Sequence, residues 1–246
     1  MESINLLANR WSARLLEESR RVAAFLQSRK VWLLSGWTFL CLLGGLVRAA
    51  KFFQDYPDLA GSARIPGLLA PSLLIAAAPW LGWFLAARAY PRRPDLKQHQ
   101  FEGFLVSLAM GMLLSMVMRL ATYHLAIPAM PPGAPAWAIA AFRIMTIDVA
   151  LLCFMYMACF TMALRGAALF PLMLVAIWGY DLLMQLAIAR YIASAGDVPA
   201  MVAGPFAELL GGNMRKVLIS MVIWLPYLML SARVNAVFRA PAWVRT

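Results

Sequence analysis

Arg119, Arg143, Asp148 and Asp181 are charged residues set inside stretches that are otherwise apolar. In a bilayer that placement is costly. An Arg or Asp at the centre of a span costs about 2.5 to 3.5 kcal/mol, whereas a Leu or Phe returns about 0.3 to 0.6. Such groups turn inward, where they pair with one another or line a path for a solute or proton. Ser107, Gly111 and Ser115 are spaced four apart, and Arg119 is the next member of the series. Small residues at this spacing let a neighbouring helix approach closely, so Arg119 is expected to face the bundle. Arg143 and Asp148 are five apart and point to different sides of one helix, which favours pairing between helices. Arg119 with Asp148, and Arg143 with Asp181, is one such geometry among several. Trp178, Asp181 and Gln185 share a helical face. Two acids against two arginines is a balanced count. Balance leans toward ion pairs that lock the bundle; a solute or proton path is the competing expectation.

Other chemistry finds few residues to carry it. There is no H-E-x-x-H, no G-x-S-x-G and no phosphate-cradling glycine loop. His99 and His124 fall in joints on opposite sides of the membrane, so no shared metal site is expected. Cys41, Cys153 and Cys159 lie in apolar stretches without a C-x-x-C pair, and read as small buried hydrophobes. Met110–Met118 and Met155–Met162 are methionine-rich. A soft-metal path is one reading, and gap-filling in an apolar bundle is the favoured one. No cofactor and no catalytic residue are expected.

The elements that must position these groups follow from composition. Hydrophobic residues make up 63% of the 246-residue chain and charged residues 13%. A soluble domain is nearer half apolar and a quarter charged. Six stretches are long enough to cross a bilayer: Val31–Ala49, Gly67–Ala87, Gly103–Tyr123, Ala136–Leu164, Leu169–Arg190 and Val217–Val237. Lipid offers the backbone no hydrogen-bond partner, so each is expected to be a helix. The fold class is an all-α polytopic membrane bundle, with a membrane domain over 31–238 and a short tail over 239–246. Pro71, Pro79 and Pro226 fall inside spans and can kink them. The joint 127–135 holds four prolines and no charge. Val202–Leu210 reads as a short interfacial helix.

Net charge is +11. The basic residues flank apolar spans, so the expected partner is anionic lipid headgroups rather than nucleic acid. With the N-terminus in the cytoplasm, most basic residues of the joints fall inside, and the outer segments hold Arg48, Lys51, Arg64, Arg190, Arg215 and Lys216. This asymmetry places both ends inside. Residues 1–30 carry Glu2, Glu17 and Glu18 and lack the pattern of a secretory signal. Ile4, Leu7, Trp11, Leu15, Val22, Phe25 and Leu26 recur at helical spacing, with Arg10, Arg14, Glu17 and Arg21 on the other side. An amphipathic helix lying on the cytoplasmic headgroups is the expectation.

The last span reads I-W-L-P-Y and then S-A-R-V, with Phe238 beyond. Ile223, Trp224, Pro226, Tyr227, Ser231, Arg233, Val234 and Phe238 carry the pattern. It resembles the C-terminal helix of a bacterial multi-pass inner-membrane family designated domain of unknown function 2569. The resemblance covers the last third of the chain and is clear in its final helix. It implies a bacterial inner-membrane location and no particular activity. Familiar members look like four-span proteins, so two spans here are additional.

Small loops, absent catalytic motifs and the balanced charges lead to a first functional expectation. It is a non-enzymatic subunit or scaffold of a membrane complex, with a membrane-protein partner or a second copy of itself. A small solute or proton-coupled transporter is the alternative. A lipid-headgroup enzyme using Arg119 and Arg143 to hold a phosphate stands third.

Overall fold

A computed structural model describes residues 2–59, 65–91, 103–196 and 198–239. His99 and the tail 240–246 lie outside the described residues, as do the side chains of Ile4, Leu7, Arg10, Trp11, Leu15 and Arg233. The chain is a polytopic helical bundle. Helix α1 (Glu2–Ser28) is followed by six long apolar helices: α2 (Lys30–Asp55), α3 (Ile65–Ala89), α4 (Phe104–Ala126), α5 (Ala136–Arg165), α6 (Phe170–Ser194) and α7 (Ala200–Leu230). A short turn α8 (Ala232–Val234) and a wide π-turn over Asn235–Arg239 close the described chain.

Helix α5 is the central element. Of its most apolar stretch 72% is buried, against 11% for α7. It packs on α3, α4 and α6; α2 packs on α3 and α4, and α7 on α6. Gly166 stops α5 in the left-handed region (φ 66), where its N–H donates to the Ala163 carbonyl. Glycine adopts that conformation without a Cβ penalty. The reversal lets α6 start four residues later and return along α5.

The seams are built from small residues and from carbonyls that proline leaves free. Pro79 has no N–H to give the Ile75 carbonyl one turn back. Trp37 of α2 supplies the missing donor, its Nε1–H reaching the Ile75 oxygen at 3.1 Å. The Trp80 indole donates to Thr38 Oγ1 at 2.9 Å, which ties the same two helices again. Gly82 of α3 lies against the α5 backbone, and a Cβ there would overlap the Phe154 carbonyl oxygen.

The helices alternate in direction, so α1, the start of α2 and the end of α7 share one face of the bundle, here called the first face. At that face Arg165 of α5 donates to the Ala87 and Tyr90 carbonyls at 2.9 and 2.8 Å. Lys30 sits 5.3 Å from the Trp83 ring. Ser19 of α1 accepts the Gly103 N–H at 3.0 Å, which holds α1 against the start of α4. Of the expected apolar stripe on α1, Leu26 is buried, Val22 half-buried and Phe25 exposed. Arg14, Glu17 and Arg21 are exposed, with Arg21 paired to Glu17 and Glu18.

Two expectations need correction here. Val202–Leu210 is not a separate interfacial helix: it is the first part of α7, which runs unbroken through Pro205 to Leu230. At 1.5 Å per residue that helix is about 46 Å long, more than the roughly 30 Å hydrocarbon core. The last span also ends at Leu230 rather than Val237. Ser231 breaks it and its hydroxyl caps α8 by accepting the Val234 N–H. Phe238 then folds onto Phe170 at 4.8 Å between ring centroids, with Val234 and Val237 buried beside it. Trp224 and Tyr227 meet edge to face, and Ile223 points outward.

Candidate functional site

Helices α4, α5, α6 and α7 enclose a cavity of about 190 Å³. Three of the four charges found by sequence stand on its wall: Arg119, Asp148 and Asp181. Asp148 lies about 18 Å along α5 from its first residue and Asp181 about 17 Å along α6, so both are near mid-depth.

A single guanidinium serves both acids. Arg119 Nη1 donates to Asp148 Oδ2 at 3.2 Å and Nη2 to Asp181 Oδ2 at 2.5 Å. Gln185 Nε2 donates to the other oxygen, Asp181 Oδ1, at 3.2 Å. Asp148, Asp181 and Gln185 are each no more than 3% exposed. Within this network Asp148 Oδ1 and Gln185 Oε1 have no hydrogen-bond partner among the described residues. The face Trp178–Asp181–Gln185 comes from helical spacing as expected, and all three line the cavity.

Arg143 is not part of this arrangement. It is exposed, away from the cavity wall. The pairing of Arg143 with Asp181 is therefore replaced by a second bond from Arg119. The two-against-two balance becomes one cation against two anions. The reason is the five-residue separation: with Asp148 turned to the core, Arg143 is carried round to the outside of α5. Arg119 and Arg143 accordingly do not form a phosphate clamp.

The small-residue series on α4 also falls elsewhere than expected. Ser107 and Ser115 are exposed, and a Cβ at Gly111 would meet nothing within 4 Å. The buried face of α4 is instead Leu105, Leu108, Ala109, Met112, Met116, Leu120 and Tyr123. Ser115, whose hydroxyl donates to the Gly111 carbonyl, belongs to the cavity rim. The close helix approaches occur at Gly44, Gly45 and Gly82, where an added Cβ would overlap His124, Ser72 and the Phe154 backbone.

Helix α7 supplies the fourth wall with Asn213, Lys216 and Ser220. Their spacing of three and four makes a polar stripe on an apolar helix, the same signal that marks α6. The stripe becomes visible only with α7 running from Ala200, which places Lys216 inside the helix and not in an outer joint. The rim between α4 and α7 is formed by exposed Leu114, Ser115, Met118 and Lys216. Toward the first face, beyond the cavity, these two helices meet through Phe104 and Tyr227, with ring centroids 5.6 Å apart.

A second polar group lies toward the opposite face. Arg48, expected in an outer joint, is inside α2 and 6% exposed. Its Nη2 donates to the Tyr123 hydroxyl at 2.9 Å, and the guanidinium carbon lies 4.6 Å from the Tyr123 ring and 5.3 Å from that of Phe142. Tyr123 and Thr146 share a hydrogen bond of 2.7 Å, and Thr146 donates on to the Phe142 carbonyl. Aromatic faces here take the place of a counter-ion. The signal was the continuation of α2 to Asp55, which puts Arg48 two turns inside the helix.

No family model, no curated protein and no solved structure matches this chain.

Proposed function

We propose that this protein is a small membrane carrier whose path for a polar solute or a proton passes Arg119, Asp148 and Asp181. One observation supports the reading above the others: two buried carboxylates share one guanidinium on the wall of a cavity, and Asp148 keeps an oxygen without a partner. Charges that only locked the bundle would be expected to satisfy one another. Here Asp148, with one buried oxygen unpaired, lines a space of about 190 Å³. A water's share of the liquid is about 30 Å³, so the space has room for a small polar occupant. The Phe104–Tyr227 contact fits a closure on the first face. The basic residues of the joints favour the cytoplasmic side for that face, and the resemblance of the last span implies a bacterial inner membrane. Anionic headgroups are the lipids that such a basic face attracts.

The test is flux in reconstituted liposomes. Small solutes and imposed pH steps are screened for a signal absent from protein-free vesicles. A flux that Asp148→Asn removes, with protein abundance kept, is the expected result. A folded protein that carries nothing, and that leaves mild detergent with a stoichiometric partner, would replace the carrier with the subunit reading. That second reading is favoured by α7, whose long apolar face packs on α6 alone among the main contacts of the bundle.

A further inference from the structure

The chemistry of the cavity also narrows what it holds; this step rests on reading the cavity as a ligand site. The two atoms without partners are both acceptors, Asp148 Oδ1 and Gln185 Oε1. Their side chains are 3% and 2% exposed. A buried acceptor left unmade costs about 1 to 3 kcal/mol, more for a charged group. The complement is therefore a donor.

Charge points the same way. Both terminal nitrogens of Arg119 are engaged by carboxylates, so the guanidinium is committed within the network. With both carboxyls ionised, the buried set Arg119, Asp148, Asp181 carries one negative charge in excess. Among the described residues of the wall Lys216 is the one other cation, and it is exposed at the rim rather than buried. A monovalent cation with several N–H bonds satisfies the charge and the two acceptors together. An ammonium has three donors on one compact centre. A quaternary ammonium has the charge and none of the donors.

We propose that the cavity binds a primary ammonium group, with its N–H bonds on Asp148 Oδ1 and Gln185 Oε1. The rim between α4 and α7 holds Leu114 and Met118 beside Ser115 and Lys216. The same chemistry therefore reaches the site from two sources: a free small amine, or the amine headgroup of a lipid entering between these helices.

Binding to the full-length chain tests this without any transport step. In detergent, methylammonium chloride is titrated against the thermal unfolding temperature, with tetramethylammonium chloride and sodium acetate as controls. In nanodiscs, phosphatidylethanolamine is compared with phosphatidylcholine. A saturable upward shift with methylammonium supports the free amine, and a shift with phosphatidylethanolamine alone supports the lipid. Either response should weaken about tenfold or more in Asp148→Asn, because a charge-assisted bond is lost. Ser220→Leu fills the wall without touching the ionic network, and should weaken the response while the unliganded protein unfolds normally. Equal responses to methylammonium and tetramethylammonium overturn the proposal. So does a response to acetate alone, or none to either amine source. Solute flux without ammonium binding sinks this inference and leaves the carrier standing; binding without flux does the reverse.

Discussion

Arg119 of α4 reaches Asp181 of α6 at 2.5 Å, although α4 packs mainly on α5, and α6 on α7 and α5. The same guanidinium holds Asp148 of α5 at 3.2 Å. One side chain thus joins three helices at mid-depth.

Removing that side chain orphans two buried carboxylates. Arg119→Met should destabilise the bundle by about 3 to 5 kcal/mol, the range for breaking a buried ion pair on one side. Asp181→Asn should cost less, because Arg119 keeps Asp148. Arg143→Gln alters an exposed side chain and should stay within about 0.5 kcal/mol. Thermal unfolding in detergent, with abundance in membranes, reads all three; equal effects at 119 and 143 would refute the assignment.

Close helix approach is a property of Gly82 and not of Gly111. Gly82→Ala sets a methyl against the Phe154 carbonyl, which a rigid backbone cannot yield to. A loss of about 1 to 3 kcal/mol is expected from overpacking. Gly111→Ala meets nothing and should be neutral or stabilising by a few tenths of a kcal/mol. The pair is compared by melting temperature, and the reverse order would contradict the seam.

Trp37→Phe keeps the ring against α3 and deletes its N–H. The Ile75 carbonyl, already without a helical donor because of Pro79, then stands alone. The expected cost is about 1 to 3 kcal/mol. Pro79→Ala made in the Trp37→Phe background restores a backbone donor and should recover part of it. Failure of that rescue would detach the indole bond from the proline.

Tyr123→Phe removes the hydroxyl that joins Arg48 to Thr146 but keeps the ring beneath the guanidinium. A loss of about 1 to 2 kcal/mol is expected. Tyr123→Leu also removes the aromatic face and should lose about 0.5 to 2 kcal/mol more. The same loss in both variants would leave the cation–ring contact without weight.

Reporter fusions at the N-terminus and after Phe238 should report the same side of the membrane, and the cytoplasmic one. An even number of spans requires the first result and the basic joints the second. Opposite sides would remove one helix from the bundle.

How much of this was legible in the sequence depends on the range of the forces involved. Six helices follow from the solvent alone, because lipid does not tolerate an unpaired backbone. The same argument turns Arg119, Asp148 and Asp181 inward but fails for Arg143, which is exposed. The shared face of Trp178, Asp181 and Gln185 needs only the helical period. Periodicity would also have found Asn213, Lys216 and Ser220, had α7 been started at Ala200. The partner of each charge is a different matter. Arg143 and Arg119 are alike as residue types, and which one reaches Asp181 is fixed by how α4 and α6 are rotated about α5. The small series on α4 likewise proved to face outward, since four-residue spacing defines a stripe without saying what the stripe meets.

Local rules therefore determined the class of this protein and its helices, which depend on each residue and its immediate solvent. Of the inward charges they named Arg119, Asp148 and Asp181, but also Arg143, which is exposed, and not Arg48, which is buried. Only the tertiary arrangement decided that one arginine answers two aspartates, that Arg48 rests on tyrosine and phenylalanine instead of an acid, and that a polar cavity opens beside α7. Those outcomes come from distances between helices far apart in the chain, and no period along a single helix encodes them.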